Sequence, residues 1–121
     1  SLAQRAGIAA LQESEAEVGE MRSIYDRRRK FMIKRLKELG FSIAVEPTGA
    51  VYVFANARSF SGDSYRLAFD ILEKAHVGVT PGVDFGKNGE GYLRFSYANS
   101  LENIEEGLNR LELYLRKASW L

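Results

Sequence analysis

Arg94 is the residue whose type and setting point most directly to chemistry. It lies in Tyr92-Leu93-Arg94-Phe95-Ser96-Tyr97, whose alternation puts Leu93, Phe95 and Tyr97 on one face of a strand and Tyr92, Arg94 and Ser96 on the other. A guanidinium in the middle of an aromatic-rich strand suits an exposed sheet face or an anion that meets it. Its planar fork matches a carboxylate through two parallel hydrogen bonds. An exposed edge charge or a structural salt bridge accounts for the residue type equally well.

Other candidates carry less. His76 is the single histidine, and there is no cysteine. Disulfides, zinc–thiolate sites, cysteine nucleophiles and multi-histidine metal centres are therefore excluded. His76 follows a helical run and reads as a helix-end cation or a partly buried packing residue; with it alone, the serines lack a triad. Gly86-Lys87-Asn88-Gly89-Glu90-Gly91 has the glycines of a phosphate loop. Such a loop follows a strand and opens a helix with Gly-Lys-Ser/Thr, whereas these glycines lead into a strand and read as a flexible turn. Arg27-Arg28-Arg29-Lys30, with Lys34, Arg35 and Lys37, makes a basic helix surface. Its apolar side is Ile24, Tyr25, Met32 and Leu36, and no aromatic platform interleaves with the cations. A solvated helix face is expected there, and no nucleic-acid partner.

The elements that must position Arg94 follow from periodicity. Residues 2–39 are rich in helix formers, with Val18, Met21, Tyr25, Met32, Leu36 and Leu39 at helical spacing. Gly7 and Gly19 predict two helices or one bent helix, with the break near residues 13–19, and Gly40 can take the left-handed position beyond the helix end. Ser42–Val45 and Val51–Ala55 are β-prone around the turn residues Glu46-Pro47-Thr48-Gly49-Ala50, which predicts an antiparallel hairpin. Asp63 is a candidate N-cap for a helix whose buried face is Leu67, Ala68, Ile71, Leu72 and Ala75. Val77–Thr80 is a short strand candidate ended by Pro81-Gly82. Ser100 caps a last helix with the stripe Leu101, Ile104, Leu108, Leu111 and Leu115. This order predicts an α+β fold: a small, mostly antiparallel sheet covered on one face by helices, preceded by a long N-terminal helical segment.

The 121 residues are 45% hydrophobic and 27% charged, with a net charge of +1. This is the composition of one globular domain, and it excludes long disorder, a collagen and a coiled-coil rod. No run of 18 apolar residues exists, so no membrane span is expected. The first residues do not read as a signal peptide, and the lack of cysteine fits a cytoplasmic location. A start at Ser1 fits a piece of something longer.

The stretch Val79-Thr80-Pro81-Gly82-Val83-Asp84-Phe85-Gly86, followed by Gly89-Glu90-Gly91-Tyr92-Leu93-Arg94-Phe95-Ser96-Tyr97-Ala98, resembles the C-terminal region of class I aminotransferases. These are the fold-type I enzymes that use pyridoxal phosphate, and the likeness is aspartate-aminotransferase-like. Glu46-Pro47-Thr48-Gly49-Ala50-Val51-Tyr52-Val53-Phe54 is similar to that family's Pro-x-Gly-Ala-x-Tyr hairpin, and residues 100–111 to its closing helix. The resemblance covers essentially the whole chain. It implies that Arg94 grips the substrate α-carboxylate, and that Gly49 and Phe85 border the same cleft as substrate-binding residues. It implies amino acid and 2-oxo acid substrates and a homodimeric parent enzyme.

The cofactor's own residues are not matched. None of the six lysines (Lys30, Lys34, Lys37, Lys74, Lys87, Lys117) follows a serine in the family's Ser-x-x-Lys context, and no asparagine precedes a proline. Residues 1–16 are therefore expected to be a helical segment linking to a missing large domain, and residues 17–121 to be the small domain. Pyridoxal phosphate is expected in the full-length enzyme but not covalently on this chain, which alone should be inactive. No catalytic, cofactor-binding or metal-binding residue is assigned. A fragment of this kind is expected either to self-associate through residues 2–16, where Leu2, Ile8 and Leu11 would have lost their partner, or to leave that helix frayed in solution. The alternative is a stand-alone, non-catalytic α+β ligand-binding or interaction module.

Overall fold

The computed structural model describes residues 2–43 and 51–118, with side chains from residue 17 onward. Helix α1 spans Leu2–Glu38, strand β1 Tyr52–Asn56, helix α2 Ser64–Ala75, strand β2 Thr80–Pro81, strand β3 Tyr92–Ser96 and helix α3 Leu101–Lys117. Two 3-10 turns, Gly82–Phe85 and Lys87–Gly89, join β2 to β3. The sheet order is β1-β3-β2, and both pairings are antiparallel. The α+β expectation, with a helical segment in front, therefore holds.

Helix α1 is one continuous helix of 37 residues, not two. A Cβ built at Gly19 would meet nothing within 4 Å, so the glycine costs only its intrinsic penalty of about 1 kcal/mol, too little to end the helix. The end comes at Gly40, whose φ is +102°. Its N–H donates to Lys37 O at 3.1 Å, and the Phe41 N–H donates to Leu36 O at 3.0 Å. These are the paired bonds of a Schellman motif, which satisfies the last carbonyls and is adopted readily by glycine.

Both expected N-caps form. The Asp63 side chain accepts from Arg66 N at 3.0 Å, and Ser100 Oγ accepts from Asn103 N at 3.1 Å. Helix α2 ends at His76, an exposed residue in the left-handed conformation, φ 57°.

All three helices bury side chains with the inward face of the sheet. Val53, Ala55, Leu93 and Phe95 meet Leu36 and Leu39 of α1, Leu67 and Ile71 of α2, and Leu108, Leu111 and Leu115 of α3 in one core. Three expected core positions differ. Val18 and Met21 are 44% and 49% exposed, because α1 runs on past the layer that covers Met32 and Leu36. Leu72 is 50% exposed, while Tyr114 takes an unforeseen buried place. The Tyr114 hydroxyl donates to the Asp70 carboxylate, tying α3 to α2.

The strand expectations shrink. The Ser42–Val45 arm leaves, among the described residues, a single antiparallel bridge between Ser42 and Asn56. The turn at residues 46–50 lies outside the described residues. Strand β2 is Thr80–Pro81 and not Val77–Thr80, because only these two residues come opposite Arg94 and Leu93. Pro81 has no N–H to extend the ladder, so the edge stops there.

No buried side chain among the described residues precedes Met32, and the half-buried Tyr25 is the earliest that packs on the core. A chain lacking residues 1–16 should therefore keep its cooperative melt, losing only the helical circular dichroism of the removed turns. Light scattering should show the full chain associating more strongly than the shortened one. Unfolding of the shortened chain would place part of the core in the first 16 residues.

Candidate functional site

Arg94 sits at the centre of the middle strand, opposite Phe54 of β1 on one side and Thr80 of β2 on the other. Its side chain leaves the sheet on the face opposite Leu93 and Phe95, which point into the core. The guanidinium carbon lies 3.9 Å from the centroid of the Tyr52 ring and 4.5 Å from that of Phe85. Distances this short put the cation over ring faces, not ring edges. Nη2 donates to Thr80 Oγ1 at 3.4 Å. No carboxylate among the described residues forms an ion pair with Arg94. The structural salt bridge open at the level of residue type is thus not formed among them.

Phe85 ends the first 3-10 turn and is 47% exposed, with its ring edge-to-face on Phe54 at 5.6 Å. The structure thus brings Arg94 and Phe85 together. Gly49 lies outside the described residues. Tyr52 and Thr80 join the site with no sequence signal of their own, although Tyr52 lies in the quoted hairpin motif. Their role depends on register: Tyr52 pairs with Ser96, diagonal to Arg94 on the same face.

The segment that presents Phe85 is not a slack turn. A Cβ on Gly82 would stand 2.0 Å from the Gly89 carbonyl oxygen and 2.6 Å from that of Tyr92. Only glycine lets these backbones approach so closely. Behind the loop, Glu90 Oε1 accepts from Ser64 N at 2.7 Å and from Gly91 N at 3.0 Å. The fully buried Ser64 Oγ accepts from Val83 N at 3.3 Å. Arg58 closes the far side, donating to Glu90 O at 3.0 Å and lying over the Tyr92 ring at 5.1 Å. Helix α2 is therefore pinned to the loop and to the start of β3.

The Ser64 backbone N–H, then its hydroxyl and the Gly91 N–H, hold the Glu90 carboxyl below the ordinary carboxylate range against partial burial. The Tyr114 hydroxyl and Lys74 do the same for Asp70. A carboxylate lowered on folding stabilises the fold above its unfolded value, and that contribution is lost as pH falls through the lowered folded value. Urea stability should therefore fall with acid below about pH 4.5. Glu90→Gln should be less stable than the parent at pH 7, and the gap should narrow at pH 3. A gap independent of pH would show that the charge on Glu90 does not contribute.

A groove of about 720 Å³ lies elsewhere, between the C-terminal ends of α2 and α3, and is lined by Lys74, His76, Arg110 and Leu113 among others. Two of its polar groups already have partners, Lys74 with Asp70 at 3.0 Å and Arg110 with Glu106 at 3.1 Å. The basic residues of α1 are likewise partly paired, Arg29 with Asp26 and Arg35 with Glu112. Among the described residues no group of three potential metal ligands occurs, and no helix is long and apolar enough to cross a membrane.

A sequence model described as aminotransferase class I and II matches residues 1–111. The chain is 46% identical over 114 residues to an aspartate aminotransferase of Pyrococcus horikoshii, covering 93% of this chain and 29% of that protein. It is 40% identical over 118 residues to the (5-formylfuran-3-yl)methyl phosphate transaminase of Methanocaldococcus jannaschii, covering 97% of this chain and 31% of that one. Its fold superposes on the crystal structure of an aromatic aminotransferase from Pyrococcus horikoshii with a TM-score of 0.85 at 43% identity, covering 90% of this chain and 29% of the other. The chain thus spans about 30% of the length of these relatives.

Proposed function

The chain belongs to the class I and II aminotransferase family, and from that premise we propose that it is the C-terminal small domain of a pyridoxal-phosphate-dependent enzyme, with Arg94 holding the substrate's α-carboxylate. The enzyme would move an amino group between an amino acid and a 2-oxo acid and would work as a homodimer. The observation that carries this reading is the Arg94 fork on the sheet face opposite the core, over two aromatic rings and without a carboxylate partner among the described residues. A carboxylate arriving in the guanidinium plane would gain two charge-assisted hydrogen bonds. That grip would fix which Cα–H bond is presented for reaction, and orientation of this kind is worth several kcal/mol of barrier. Phe85 would border the same cleft, as would Gly49. Closure of this domain over the substrate would keep water out.

The residues around Arg94 do not fit the cofactor itself. No lysine lies on β1, β2 or β3. Five of the six lysines are on the helices, and Lys87 is in the turn after Phe85. Covalent attachment of pyridoxal phosphate is therefore assigned to a lysine outside these 121 residues, and the electron sink of transamination with it. The expected result is that this chain alone, treated with pyridoxal phosphate and borohydride, is labelled on no one lysine in stoichiometric yield and has no transaminase activity. Peptide mapping by mass spectrometry reads the labelling. A single fully modified lysine would place the cofactor on this domain.

A further inference from the structure

We propose that Tyr52 and Phe85 are positioning residues that hold the Arg94 guanidinium ready for a carboxylate. The proposal rests on the reading of Arg94 as the carboxylate anchor. An arginine side chain has four flexible torsions, and an unsupported one must be ordered each time it binds. Here the guanidinium lies over two ring faces at once, 3.9 Å from the Tyr52 centroid and 4.5 Å from that of Phe85, and Thr80 Oγ1 accepts from one Nη2 hydrogen at 3.4 Å. Stacking uses the weakly hydrated faces of the guanidinium and leaves its in-plane N–H edges for a bidentate partner. The rings also displace water from the cation, which strengthens any charge-assisted bond it then makes.

The two rings are set independently of Arg94. Tyr52 is fixed by the β1–β3 register, opposite Ser96. Phe85 is fixed by the turn that the Gly82–Gly89 approach and the Glu90–Ser64 bond hold together, and by its edge-to-face contact with Phe54. The arginine is thus placed by two elements distant in sequence, which is how a side chain on a strand is given one orientation.

In the complete enzyme, Tyr52→Leu and Phe85→Leu should each raise KM for the amino acid by about 3- to 30-fold. The kcat should stay within about threefold, because the lost binding is common to ground and transition states. Tyr52→Phe keeps the ring and should restore the parental KM. On this chain itself, NMR should show the Arg94 Nε–H signal shielded by the rings and its Nε–Cζ rotation slower than that of Arg116, whose side chain is 62% exposed; either leucine substitution should weaken both signatures. An unshielded Arg94 in the parent chain would overturn the proposal. So would parental KM in both leucine variants beside a severely impaired Arg94→Lys enzyme, and the anchor would then stand without its bracket. Near-normal kinetics of Arg94→Lys would remove the anchor itself, and this proposal with it.

Discussion

Arg94→Lys in the complete enzyme is expected to lower kcat/KM by about 30- to 5,000-fold, the equivalent of 2–5 kcal/mol. Lysine keeps the positive charge but has no planar fork, so it can neither make two parallel bonds to one carboxylate nor offer a planar cation to Tyr52 and Phe85. The loss should fall on function and not on folding. Arg94 projects from the face opposite Leu93 and Phe95 and, among the described residues, has one hydrogen bond, at 3.4 Å. Steady-state kinetics beside a melting curve would separate the two. Unimpaired kcat/KM would mean that the carboxylate is held by another group.

A large effect on stability is expected at Leu111. It is fully buried where α3 meets α1, α2 and the sheet. Leu111→Ala removes buried methyl groups and leaves a cavity, at a cost of about 2–5 kcal/mol. A domain of this size has roughly 5–15 kcal/mol in all, so up to half or more of its stability is at stake. Leu113, two residues along the same helix, is 58% exposed; its replacement by alanine should change stability by no more than about 0.5 kcal/mol. Urea unfolding of both variants tests the pair. Equal effects would mean that α3 presents a different face to the core.

Much of this architecture was legible in the residues because the signals were local. The alternation in Tyr92–Tyr97 placed Leu93, Phe95 and Tyr97 inward, and all three are buried. Asp63, Ser100 and Gly40 marked helix boundaries through bonds made within a few residues of each. What local pattern could not show was contact between distant segments. Tyr52 reaches Arg94 across a register set between strands some forty residues apart, and Glu90 reaches Ser64 across 26 positions. No periodicity encodes either contact.

Helix faces were legible at their centres and not at their margins. Ile71 and Leu111 are buried as their stripes require, whereas Leu72 is exposed and Tyr114 is buried one turn beyond Leu111. The outer end of α1 departs from expectation for a related reason. Val18 and Met21 repeat at helical spacing, but a repeat says which side of a helix is apolar and not whether anything covers it. Of the two arrangements expected around residues 13–19, the separate helices do not form, and one helix passes through Gly19.

The most direct test of the central claim pairs the arginine with the group it is proposed to hold. The complete enzyme is assayed with an amino acid and with the amine that has the same side chain but no α-carboxylate, in the parent and in Arg94→Lys. If Arg94 grips the carboxylate, the parent should favour the amino acid by a factor larger than that of the variant by about 30-fold or more. A variant that discriminates against the amine as strongly as the parent would contradict the account, because the carboxylate would then be recognised without Arg94.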